Sequence, residues 1–173
     1  MEIYPANVHY YAVKVHYLDA SALVKLVADD PDEEPGRTAV RNYYETQSCM
    51  MATSHCLSEA LSAFKSKFLR KRISRDDYIT YVDTFINRTV GWKLEIGEMP
   101  ILSPKLLTEA GGLIRKYDLD FVDCVQIVTI LHGKNRVFCG DSKSILITAD
   151  HALAKAARAE GARVWECTSE PSP

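Results

Sequence analysis

The sequence is short of several features, and each shortage removes a class of protein. No stretch approaches the ~18 uninterrupted apolar residues that span a bilayer. The N-terminus, MEIYPANVHYYAVKVHYLD, lacks the basic start and long apolar segment of a secretory signal. A soluble, cytoplasmic protein with no membrane partner is therefore expected. The five cysteines, Cys49, Cys56, Cys124, Cys139 and Cys167, form no CxxC pair and leave at least one thiol unpaired. Several lie in apolar runs, which fits buried thiols in a reducing compartment. Neither sign of charge dominates: 21 Lys and Arg face 23 Asp and Glu, for a formal net charge of −2. That excludes a uniformly basic, histone-like nucleic-acid binder. It does not exclude a locally basic surface, because a sum does not locate charges. No internal repeat or long linker is present.

What the chain does have is core material. Its 173 residues are 47% hydrophobic and 25% charged, enough for one domain with a sizeable interior and too apolar for wholesale disorder. Val13–Leu18 is a β-branched and aromatic run with rough alternation, which predicts a strand ending at Asp19. Ala20, Leu23, Val24 and Val27 then recur at helical spacing. Residues 29–36 hold five carboxylates, two prolines and a glycine, a solvated turn before a second helix through Tyr43 and Tyr44.

Met50–Thr53 reads as a second strand. A long helix follows from Ser54 or His55 to about Arg72, with Leu57, Ala60, Leu61, Phe64 and Phe68 on one face. Ser74 and Asp77 form a capping pattern that opens a helix through Tyr78, Tyr81, Val82, Phe85 and Ile86. Trp92–Met99 alternates like a third strand, and Ser103-Pro104 starts a helix to about Tyr117. Phe121–Leu131 is apolar nearly all round, as a buried helix would be. Ile145–Ala149 is a further strand, followed by a helix over Ala152–Ala159, a stop at Gly161 and a last strand over Ala162–Cys167. Strands alternating with helices predict a parallel α/β sheet with helices on its faces.

Sites in open α/β sheets form at the carboxyl ends of strands, near the point where strand order reverses. Asp19 and Asp150 occupy such ends. Glu59 and Asp123 interrupt the apolar faces of two helices. A buried carboxylate needs a partner, a proton or a metal ion. Several converging carboxylates without matching arginines fit a hard divalent cation, Mg²⁺ or Mn²⁺. Plainer roles stand beside that one: Asp19 and Asp150 can be helix N-caps, and Asp123 can pair with a nearby Arg or Lys.

The same residues resemble a family. Tyr17–Leu23 (YLDASAL) looks like the opening motif of PIN-domain ribonucleases, an Asp with a small hydroxyl or amide residue two places on. Ser58–Ala63 (SEALSA) resembles the family's glutamate-bearing third helix. Val122–Val128 (VDCVQIV) follows its central helix, with Cys124 where Ala is commoner. Ile147–Ala154 (ITADHALA) is close to its T-x-D-x-x-L-A segment, and a Gly-x-x-Val-Trp strand follows. The resemblance spans about residues 13–167, with an N-terminal extension at 1–12 and a C-terminal tail at 168–173.

The nearest subgroup in pattern is the VapC-like toxins of type II toxin–antitoxin pairs. What it implies is a three-layer α/β/α PIN-like fold with a parallel sheet of about five strands in the order 3-2-1-4-5. It further implies metal coordination by Asp19, Glu59, Asp123 and Asp150, supported by the hydroxyls of Ser21 and Thr148. The activity implied is Mg²⁺- or Mn²⁺-dependent hydrolysis of RNA, leaving 5′-phosphate and 3′-hydroxyl ends. A cognate antitoxin protein and a homodimer are the implied partners.

Other signals carry two readings each. Lys65, Lys67, Arg70, Lys71, Arg72 and Arg75 place six basic residues in eleven positions without an acid. They suit either an RNA-binding rim that tracks phosphates or a solvated helix end that complements the macrodipole. Asp120 either faces the same way as Asp123 or simply caps the helix that carries it, and the cap is the favoured reading. Asp141, in the 132–144 loop, is a further candidate. His151 has no second His or Cys at ligand spacing, which disfavours zinc. Tyr43, Tyr44, Tyr78 and Tyr81 have core or partner-surface spacing. The rival from another class is a catalytically silent PIN-like module that binds RNA or a protein. A phosphatase using Asp19 as nucleophile lacks its DxD, since residue 21 is Ser, and no GxGxxG follows the first strand.

Overall fold

The structure is a computed structural model that describes residues 15–47, 50–90, 93–135 and 144–173. The expected extension at 1–12, the start of the first strand, Cys49, Trp92, Cys139 and Asp141 lie outside the described residues. Five strands, β1 (His16–Leu18), β2 (Met50–Ala52), β3 (Leu94–Ile96), β4 (Ile145–Thr148) and β5 (Val164–Glu166), form one parallel sheet in the order β3-β2-β1-β4-β5. Between them run α1 (Ala20–Val27), α2 (Arg37–Thr46), α3 (Ser54–Leu69), α4 (Arg75–Thr84), α5 (Pro104–Tyr117), α6 (Phe121–His132) and α7 (His151–Ala159).

Alternation along the strands divides the core into two layers. Leu18, Met50, Ala52, Ile145, Ile147 and Trp165 face helices α1 to α4, where Phe64 and Phe85 are fully buried. Tyr17, Met51 and Leu146 face the other way, onto α5, α6 and α7. Helix α6 is buried from Cys124 to Ile130, as its all-round apolar sequence predicts. Among the described residues no helix is long and apolar enough to cross a membrane.

Two expected elements are shorter in the structure. The 92–99 run pairs, among the described residues, only over Leu94–Ile96, alongside the three-residue strand Met50–Ala52, while the described part of the 13–18 run pairs over His16–Leu18. Helix α3 ends at Leu69 rather than near Arg72, where Lys71 takes a left-handed φ of 58° and breaks the repeat. Beyond α4, residues Phe85–Val90 continue as a widened helical turn.

The acidic turn and the basic stretch, far apart in sequence, meet in space. Lys67 lies between Asp30 (2.9 Å) and Glu33 (2.6 Å), and Arg72 stands 3.8 Å from Asp32. Lys25, buried in α1, donates to the Glu33 carbonyl at 2.6 Å. Lys67 is thus a tether rather than part of an open rim. Replacing it leaves two poorly exposed carboxylates short of a cation. Because Lys25 still faces Glu33, we expect Lys67→Met to cost about 2 kcal/mol in chemical denaturation, less than the roughly 3–5 kcal/mol of a fully buried pair broken outright.

Candidate active site

The chain leaves β1 and β4 in adjacent positions at the centre of the sheet, and strand order reverses between them. Each exit is an N-cap. Asp19 caps α1 by accepting from the Ser21 amide, and Asp150 caps α7 by accepting from the Leu153 amide at 2.9 Å. Asp120 caps α6 through the Asp123 amide at 2.9 Å. The capping and site readings of these residues are not rivals here: one carboxylate oxygen serves the helix end while the group faces the cleft. Asp19, Ser21, Glu59, Asp120, Asp123, Gln126 and Asp150 all line a single cavity of about 160 Å³.

Asp19 is the fixed member. It is 4% exposed, and its Oδ2 accepts from the hydroxyls of Ser21 (3.1 Å) and Thr148. Those hydroxyls are themselves oriented. Ser21 Oγ accepts from the Ala149 amide at 2.7 Å, and Thr148 Oγ1 accepts from the Asp150 amide at 2.8 Å. With a lone pair of each oxygen so occupied, both protons point at the same carboxylate oxygen. Ser21 and Thr148 therefore hold Asp19 and lock the β4–α7 junction to it.

The electrostatics are those of crowded like charges. Burial pushes the Asp123 carboxyl up to about 7, helped by the negative charges of Asp120, Asp19, Asp150 and Glu59. Glu59 is also raised, first by burial, then by Asp120 and Asp19, against a small opposing effect of His55. Asp19 is raised by burial despite its hydrogen bonds. Among the described residues none of these five carboxylates forms an ion pair. Repulsion of this kind calls for protons or cations.

As donors for a divalent ion, the residues fit in kind: hard carboxylate oxygens, with no thiolate, imidazole or competing cation lining the cleft among the described residues. Among the described residues no three His, Cys, Asp or Glu side chains are gathered closely enough to hold an ion as they stand. His151 points elsewhere, standing 3.2 Å from Glu166 on the surface. Cys56 lies close enough to Asp19 and Glu59 to feel both charges, but burial pushes its thiol up to about 12, which leaves it inert.

Of the other cleft residues, one fills both of the roles weighed for it and one was not singled out by the sequence. Asp120 is a wall of the cavity as well as a cap. Gln126 is 3% exposed, lines the cleft, and has no hydrogen-bond partner among the described residues. Its signal was present: a lone amide one turn after Asp123 in an otherwise apolar helix. Of the basic run, Arg70, Lys71 and Arg75 are exposed and in no ion pair among the described residues, and Lys65 lies over the rings of Phe68 and Tyr78.

Comparison with known proteins places this arrangement. The PIN domain family model matches residues 16–159. No curated protein matches the chain. Among solved structures, the crystal structure of PAE2754 from Pyrobaculum aerophilum is similar over 87% of this chain and 90% of that one. The TM-score is 0.57 at 18% identity, a likeness of fold.

Proposed function

The chain belongs to the PIN domain family, and on that premise we propose that it is an endoribonuclease dependent on Mg²⁺ or Mn²⁺. PIN domains are typically nucleases, so the finer part of this reading is the substrate, the metal and the residues. The observation that carries it is the convergence of Asp19, Glu59, Asp120, Asp123 and Asp150 on one cleft with no cation lining it among the described residues. A catalytically silent module has no reason to maintain that repulsion.

Asp19, Glu59, Asp123 and Asp150 would hold the ion, which when bound supplies Lewis-acid polarisation of the phosphoryl group and activation of a water. The chain's own residues do the positioning. Ser21 and Thr148 keep Asp19 in one rotamer, so the geometry is set before substrate arrives. Asp123, with its carboxyl near 7, exchanges a proton at neutral pH. Ser21 has its proton committed to Asp19, which leaves the Gln126 amide as the cleft's uncommitted side-chain N–H donor toward a phosphodiester oxygen.

The test is cleavage of a labelled RNA by purified protein. Cleavage with Mn²⁺ that stops on chelation and returns on repletion is expected. Cleavage unaffected by chelator, or none at any Mn²⁺ concentration, would overturn the reading. Gln126→Leu should raise KM about tenfold, the loss of one hydrogen bond to a charged group, with the far-ultraviolet spectrum unchanged. A variant with normal KM would remove Gln126 from substrate contact.

We further propose that the protein is the toxin of a type II toxin–antitoxin pair, with a cognate antitoxin and a homodimeric state. The support is the run of four motifs in VapC-like order at Asp19, Glu59, Asp123 and Asp150. Expression of the wild-type chain alone should arrest growth, and that of Asp19→Asn should not.

A further inference from the structure

A cavity of about 160 Å³ holds little of a polymer, so the rest of an RNA strand must leave it along the surface. One route is built into the fold. The acidic cleft shares Ala20, Ser21 and Glu59 with a shallow trough of about 470 Å³. That trough shares Ala63 and Ser66 with a third hollow of about 280 Å³, walled by Lys67, Arg70 and Arg72 with Asp32 at its edge. The three are stretches of one groove.

Helix α3 supplies its floor. Glu59, Ala63, Ser66 and Arg70 follow at spacings of four, three and four, with Ser62 beside Ala63, along one face of the helix and its C-cap. Between Glu59 and Arg70 the lining side chains of α3 are small, Ser62, Ala63 and Ser66, which leaves room for a strand, and two of the three present hydroxyls. Asp120 and Asp150, both exposed, line the acidic cleft but not the trough, so their charge disfavours a polyanion on the side of the cleft away from α3's small residues. At the far end the charges are not equivalent. Lys67 is held by Asp30 and Glu33, and Arg72 is 3.8 Å from Asp32 with both side chains largely exposed. Arg70 is exposed and in no ion pair among the described residues.

We propose that this groove is the path of a single RNA strand, and that Arg70, assisted by Arg72, binds a backbone phosphate remote from the one being cut. The proposal rests on the nuclease reading above and adds a second, non-catalytic phosphate site. Eleven residues of helix separate Glu59 from Arg70, about 16 Å at the helical rise. A stacked strand advances about 3.4 Å per nucleotide, which puts the anchored phosphate within about five nucleotides of the cut. A guanidinium can grip that phosphate with two parallel N–H donors, and it reads no base.

The test uses the full chain and an oligoribonucleotide with one neutral methylphosphonate linkage, moved position by position through five nucleotides on either side of the cleavage point. Binding is read by fluorescence anisotropy in chelator, and cleavage separately in Mn²⁺. One remote position should weaken binding three- to tenfold. Arg70→Ala should weaken the unmodified RNA by a similar factor and add nothing further at that position. Arg115→Ala, an exposed cation on α5 across the sheet, should show no such coupling. If Arg70→Ala binds normally, or its effect multiplies with that of every linkage, the path is wrong and the nuclease reading is untouched. If RNA binds with the coupling but is never cut in Mn²⁺, the groove stands and the nuclease reading falls. Failure to bind RNA at all overturns both.

Discussion

Asp19→Asn is expected to abolish RNA cleavage, with kcat/KM down at least about 10³-fold, while the protein stays folded. The two halves of that result come from different atoms. Folding depends on Asp19 as the cap of α1 and as the acceptor for Ser21 and Thr148. Asparagine is as good an N-cap as aspartate, so the Ser21 amide keeps its acceptor. The new amide nitrogen then faces two hydroxyls, each with a lone pair to spare, since each accepts one backbone N–H. Removing a buried charge that its surroundings disfavour also offsets any loss of hydrogen-bond quality.

Function has no such substitute. The carboxylate is the most rigid of the five, and a neutral amide is a poor ligand for Mg²⁺ or Mn²⁺ and neutralises one of the charges that would attract it. A loss of about 10³-fold corresponds to ~4 kcal/mol of transition-state stabilisation, the scale of removing one preorganised electrostatic group. Single-turnover cleavage with Mn²⁺, alongside thermal melting in chelator, checks both halves. Retained activity in a folded variant would remove Asp19 from the chemistry, and an unfolded variant would assign it to structure instead.

Much of this was legible before the coordinates because the relevant signals are local. Ile145–Thr148 is continuously apolar because it is a central strand covered on both faces, and that same burial makes the acid after it conspicuous. Asp19 and Asp123 stand out for the same reason. The misreadings occur where a residue has two jobs or a distant partner. Asp120 satisfies a helix end and walls the cleft, two roles that the spacing sets against each other and the fold combines. Lys67 was grouped with its basic neighbours, yet its charge is spent on Asp30 and Glu33, contributed by a turn more than thirty residues earlier. Gln126 was not singled out in a helix that reads as apolar nearly all round, and only its place on the cleft wall reveals what it faces.

The second large effect concerns Asp123 and pH. In the folded chain its carboxyl sits at about 7, through burial and then the charges of Asp120, Asp19, Asp150 and Glu59. In the unfolded chain it returns to an ordinary value near 3.8. Between those values the folded state binds more protons than the unfolded state, so stability falls as pH rises through the window. Metal-free protein should therefore be more stable at pH 5.5 than at pH 8. A shift of three units would amount to ~4 kcal/mol if fully expressed, and partial exposure of the group reduces that to about 1–2 kcal/mol. Glu59 and Asp19, both raised, add to the effect with the same sign. Asp123→Asn should flatten the profile and gain stability chiefly above pH 7.

Metal affinity should move in the opposite sense. An ion entering the cleft must displace the Asp123 proton, so apparent affinity for Mn²⁺ rises up to tenfold per pH unit below 7 and levels off above it. From pH 5 to 7 that is up to about 100-fold. Calorimetric titration with Mn²⁺ in buffers of different ionisation enthalpy reads the displaced proton directly. Close to one proton released at pH 6 and almost none at pH 8.5 is the expected pair of results. A release that does not change with pH would mean that the ion does not compete with the Asp123 proton, and would place it away from that carboxylate. Because the same proton stabilises the metal-free fold, Mn²⁺ should raise the melting temperature most at alkaline pH, where the carboxylates repel one another without relief.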